Sequence, residues 1–207
     1  MRILKGLLII VLVLSASEVL ASYDKLNKRN YEKSKIEKAV VIYGVNWGRQ
    51  WGCAGFENAQ LENLTFTRLN LSEKDDEGKI VLNTPSKLFV DNISKTYAII
   101  VTPGEYALSG FDVKIAKSIE EIGHLKGDVT ELFESGKPTG GTFKVSAGEI
   151  VYIGHFGLDC AYEPIPWRYY IQKEDFEGYA ARFKKEHKFI ADKQIIYRLF
   201  QTNKFGK

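Results

Sequence analysis

Across the middle of this chain, apolar positions recur with the short period of β-strands. Only near the end do they recur with the period of a helix. Residues 39–45 (A-V-V-I-Y-G-V) are apolar and β-branched, which predicts a buried strand. Within 59–71, Leu64 and Phe66 keep period two, and the phase then moves to Leu69 and Leu71, so a bulge is expected. Short strands are predicted at 79–83 and 87–90, either side of Thr84-Pro85. A charged turn at 72–78 precedes them; its acids lack the spacing of a calcium loop.

One phrase occurs twice: V-T-P-G-E-Y-A-L-S-G-F at 101–111 and V-S-A-G-E-I-V-Y-I-G-H-F at 145–156. Each follows a strand-like run, so two hairpins are predicted, 96–103 with 105–115 and 140–145 with 149–158. Gly110 and Gly154 interrupt the second arms in matched places and predict bulges or a close backbone approach. Between the phrases, 117–137 is poorly patterned, an excursion on the sheet rim with a short strand at 129–133. Pro164 and Pro166 force extended or turn geometry, and 168–172 predicts a last strand. Phe176, Tyr179, Ala180, Phe183 and His187 then form a helical stripe, with acids ahead of it and lysines behind. Residues 195–200 form a further short helix or strand.

Strand upon strand with short turns, then one helix, predicts a mainly β chain: an antiparallel β-sandwich with a C-terminal amphipathic helix. An α/β fold is excluded because no helix separates the central strands. The expected divisions are a signal peptide at 1–21, a polar basic lead-in at 22–38, the sandwich at 39–172 and a helical segment at 173–207 packed on it. The lead-in has few apolar anchors and reads as a fraying tether.

The N-terminus changes the picture of where the chain works. Arg2 and Lys5 precede an apolar run at 6–14, and small residues lead to Ala21, the pattern of a secretory signal peptide. The run is too short to span a membrane, which takes about 20 residues. Export to the periplasm or cell envelope is expected, with membrane contact at most peripheral. The whole chain has 207 residues and a formal net charge of +3, which gives no argument for nucleic acid. It has 2 cysteines, Cys53 and Cys160, and an oxidising compartment favours a disulfide between them over two buried thiols.

His155, Asp159 and Cys160 are the first candidates for a Cys/His enzyme, but a half-cystine explains Cys160 better. With 3 histidines and no His-x-His or Cys-x-x-Cys spacing, no metal site and no cofactor is expected. No phosphate loop, nucleophile elbow or dinucleotide fingerprint occurs. The better candidate is a surface where the disulfide brings two aromatic segments together: Trp47, Arg49 and Trp51 with Trp167 and Arg168. The alternative is that these tryptophans plug one end of the sandwich. Asn63 and Asn92 begin glycosylation acceptors that matter only in a eukaryotic host.

V-T-P-G-E-Y-A-L at 101–108 resembles the strand-turn-strand phrase of prealbumin-like sandwiches such as carboxypeptidase regulatory-like domains. A-G-E-I-V-Y-I-G at 147–154, after G-G-T-F-K-V, is similar to a phrase of small uncharacterised exported bacterial proteins, including the DUF2846-like group. The resemblance spans about residues 39–172. It implies a β-sandwich accessory or binding module and supplies no catalytic residue. The expected function is therefore a non-enzymatic module of the bacterial envelope whose partner is an envelope protein or glycan. The alternatives are an envelope hydrolase using Cys160 or His155, and a structural subunit of an envelope complex.

Overall fold

The computed structural model describes residues 23–69 and 78–202. Its elements, in chain order, begin with β1 (Asp24–Lys25), α1 (Lys28–Ser34), β2 (Ala39–Asn46), β3 (Gln50–Trp51), β4 (Asn58–Arg68) and β5 (Lys79–Asn83). Then come β6 (Ser94–Val101), β7 (Gly104–Ala116), β8 (Ile122–Gly127), α2 (Val129–Leu132), β9 (Phe133–Glu134) and β10 (Lys137–Pro138). The last are β11 (Thr142–Val145), β12 (Ile150–Asp159), β13 (Ile165–Tyr169), α3 (Phe176–Glu186) and β14 (Ile196–Tyr197).

Two six-stranded sheets face each other. The second sheet, β11-β7-β4-β3 with β5 on β4 and β8 on β7, is antiparallel throughout. The first, β1-β6-β2-β12-β13 with β14 on β12, is mixed, because β2 and β14 both run parallel to β12. Parallel neighbours need a long crossover. Between β2 and β12 that crossover includes every strand of the second sheet.

The apolar run of β2 has its explanation in burial on both faces. Val41, Tyr43 and Val45 enter the core between the sheets, where they meet Leu61, Leu64, Phe66, Tyr106 and Val113. Val40 and Ile42 point the other way, into a second cluster with Tyr31, Tyr152, Phe176, Phe183 and Ile190. Helices thus cover the outer face of the first sheet, and each fully buried aliphatic or phenyl side chain contributes about 1.5–3 kcal/mol. The stripe of α3 buries Phe176 and Phe183 as expected, with Lys184 and Lys185 in its last turn.

Several local expectations are corrected. The two Gly-Glu phrases are not hairpins. The first carries the chain from β6 in the first sheet to β7 in the second, and the other returns it from β11 to β12. Both are arches between sheets, and they lie at the same end, since Val145 pairs with Gly104. Gly148 in the second arch has φ +77°, a conformation that disfavours a Cβ.

Gly110 and Gly154 do mark irregularities. Ser109 is an extra residue where β7 opposes β4, and the register of β12 against β2 shifts between Tyr152 and His155. Gly154 has φ +108°, and a Cβ there would sit 2.9 Å from the Tyr169 carbonyl oxygen. The slip in β4 falls earlier than its apolar pattern suggests, between Leu61 and Leu64.

Residues 87–90 form no strand: the loop is pinned instead by the buried Gln60, whose amide bonds Leu88 O and Val90 N. Residues 129–132 are a helical turn, capped by Asp128 accepting from Thr130 N. The poorly patterned excursion contributes β8 to the second sheet. The strand expected at 168–172 is β13, which begins earlier, at Ile165, and takes Pro166 because it is an edge strand. The lead-in is not loose: β1 pairs with β6, and Leu26 and Tyr31 are buried. The expected signal peptide at 1–21 and most of the charged turn lie outside the described residues.

Candidate functional site

Cys53 and Cys160 form a disulfide, with an S–S distance of 2.03 Å and a Cα–Cα distance of 4.5 Å. Cys53 is fully buried, and Ala54 N donates to Cys160 O. The bridge joins the turn between β3 and β4 to the turn between β12 and β13, so it staples the two sheets. Cys160 therefore carries no thiol, and no free cysteine is present among the described residues. Asp159 accepts from Ala161 N, while His155 Nδ1 lies 3.1 Å from the Tyr152 hydroxyl. His155 and Asp159 stand four positions apart along β12, about 13 Å, too far to work as a pair. Burial holds the His155 imidazole below its ordinary pKa, so it is neutral at neutral pH.

The five aromatic and arginine candidates do not form one surface. Trp47 is fully buried in the core, and its Nε1 donates to the Tyr97 hydroxyl at 2.8 Å. It plugs the sandwich. Arg49 and Trp51 do belong together: the guanidinium lies 3.9 Å from the indole centroid, and Arg49 also pairs with Asp91 at 3.0 Å. That hydrogen bond lowers the pKa of Asp91. Trp51 is 57% exposed. Trp167 and Arg168 are adjacent in β13, and adjacent strand residues point to opposite faces. Arg168 pairs with the core residue Phe156 and donates to Phe200 O, while Trp167 pairs with Gly157 on the helix side. No hydrogen bond, ion pair or ring contact links the Arg49–Trp51 pair to Trp167 or Arg168 among the described residues.

The structure shows a different site on the outer face of the second sheet. Asp112 of β7 and His124 of β8 are joined, His124 Nδ1 to Asp112 Oδ1, at 2.8 Å. Glu62 of β4 brings Oε2 to 3.9 Å from the same nitrogen. One ligand atom from each of the three lies within 4.8 Å of the others. Lys126 holds the second oxygen of Asp112 at 3.2 Å. They line one side of a groove of about 460 Å³, completed by Asn63, Asn83, Thr84, Lys87 and Lys114.

A β-bulge builds this site. Leu61 opposes Val113 and Asn63 opposes Asp112, so Glu62 is the extra residue of β4. A bulge of this kind turns two neighbouring side chains toward one opposing residue, and here Glu62 and Asn63 flank Asp112. The cluster escapes sequence reading because its members stand at 62, 112 and 124 with no shared spacing. One trace is visible: the step from Leu61 to Leu64 breaks the alternation where the bulge falls.

No protein-family model, curated protein or solved structure matches the chain.

Proposed function

We propose that this chain is an exported, non-enzymatic β-sandwich that serves as an accessory or binding module in the bacterial cell envelope. The observation that carries this reading is the Cys53–Cys160 disulfide, since such bonds persist in oxidising compartments and are rare in the cytosol. The basic, apolar and small-residue order of residues 1–21 points the same way, as does the likeness of A-G-E-I-V-Y-I-G at 147–154 to small exported bacterial proteins. No helix among the described residues is long and apolar enough to cross a membrane. With helices covering the first sheet, the polar groove on the second is the surface offered to an envelope protein or glycan. The oxidised Cys160 leaves the hydrolase alternative without its nucleophile.

The test is a fusion of the full chain to a phosphatase that gains activity only after disulfide formation outside the cytoplasm. Activity is expected, and it should vanish when residues 1–21 are replaced by Met alone. An inactive full-length fusion that accumulates as soluble reduced protein overturns the proposal.

A further inference from the structure

We infer that Glu62, Asp112 and His124 form a binding site for a divalent transition-metal cation of the zinc class, open to the groove beside them. Two carboxylates and one imidazole are donors such a cation accepts, at about 2.0–2.2 Å each. A cation so seated spaces its donors roughly 3–3.5 Å apart, by the same ligand distances. The structure already holds His124 Nδ1 at 2.8 Å from Asp112 and 3.9 Å from Glu62, so only small side-chain rotations separate it from that geometry. Nδ1 faces both carboxylates, and the cation would take the position of a proton on that nitrogen.

Charge and support favour the site. The Glu62 and Asp112 side chains are 19% and 21% exposed, and His124 is 40% exposed. Among the described residues the Glu62 carboxylate accepts no hydrogen bond. Lys126 is the only lysine ion-paired with either acid among them, and it takes Asp112 Oδ2, leaving Oδ1 toward the cluster. Lys114 is drawn aside, donating to Lys87 O and lying over the Phe89 ring at 4.3 Å. Glu62 has no lysine or arginine ion pair among the described residues, and a cation shared with Asp112 would supply a positive partner. The three donors come from adjacent strands of one sheet, which is more rigid support than loops give. Lys126, on the second oxygen of Asp112, stands where an outer partner orients such a ligand. Three protein donors leave coordination positions facing the groove, available to water or to an anionic group of a partner. The site does not depend on where the protein works.

The test uses tag-free protein lacking residues 1–21, freed of metal and titrated with zinc chloride by calorimetry. One equivalent should bind with a dissociation constant in the micromolar range or tighter. Glu62→Gln, Asp112→Asn and His124→Gln should each weaken binding at least tenfold, while His187→Gln, outside the cluster, should not. Circular dichroism and urea midpoints establish that the variants fold. Should the variants not fold, cobalt(II) bound to the unaltered protein supplies the reading: visible bands distinct from aqueous cobalt support the site. An unaltered protein that takes up no zinc overturns the proposal, as does undiminished binding by folded His124→Gln. In either case the cluster is a proton-mediated surface pairing only.

Discussion

At the scale of single residues, the two tryptophans of the Gly-rich loop show how much environment decides. Trp47 is sealed in the core with its indole nitrogen satisfied by Tyr97, whereas Trp51 stands in solvent under Arg49. Truncating a buried tryptophan loses transfer energy and leaves a cavity, so Trp47→Ala should cost about 3–5 kcal/mol. Trp51→Ala loses an exposed cation–π contact and should cost at most about 1 kcal/mol. Urea unfolding of the two variants reads the difference directly, and equal midpoints would contradict the burial assignments. Trp47 keeps the alternation of Val41, Tyr43 and Val45 one step past β2, whereas the glycines break that phase before the two-residue β3 that carries Trp51, so the sequence gives Trp51 no face.

At the scale of elements, the arches depend on what ties them down. Glu149, the Glu of the second Gly-Glu phrase, accepts Ser146 N at 2.8 Å and takes both guanidinium nitrogens of Arg198 at 2.7 and 3.0 Å. Arg198 also donates to Lys144 O, so one side chain fastens the arch to the segment that carries β14. The Arg198 hydrogen bonds hold the Glu149 pKa below its ordinary 4.5. A lowered carboxylate pKa stabilises the fold above the unfolded value, and that contribution fades as pH falls through the folded one. Glu149→Gln should therefore cost about 1 kcal/mol at pH 7, given the partial exposure of the pair. The gap between variant and parent should close as pH falls below about 4.5 and through the lower folded value, measured by urea midpoints. A gap independent of pH would show that the charge is not what fastens the arch. Such elements were only partly legible. The run at 39–45 and the stripe from Phe176 to His187 announce themselves because burial dictates their residues position by position. The arches do not, since a Gly-containing turn between two apolar runs is the same phrase whether the runs pair or part to different sheets. Which they do is decided by partners far along the chain, β11 for β7 and β2 for both β6 and β12. The Glu62–Asp112–His124 cluster is illegible for the same reason, its register set by three strands and one bulge.

At the scale of the whole molecule, the sandwich is closed differently at its two ends. Both arches join the sheets where β7 and β12 begin. Ala116 at the far end of β7 pairs with Asn58, and the disulfide links the turn before Asn58 to the turn after Asp159, so the staple closes the opposite end. Pairing two residues across 107 positions removes much freedom from the unfolded chain, roughly 4–5 kcal/mol in the chain-entropy account. Replacing both cysteines by alanine should lower the stability of the oxidised protein by about that amount. The variant should still unfold in one cooperative step, because the arches and the continuous core remain. The bridge leaves no thiol among the described residues, so a thiol reagent should detect nothing in the native protein. After denaturation and reduction it should count two thiols. A double variant as stable as the parent would mean that the staple constrains little, and that the arches and core alone keep the two sheets face to face.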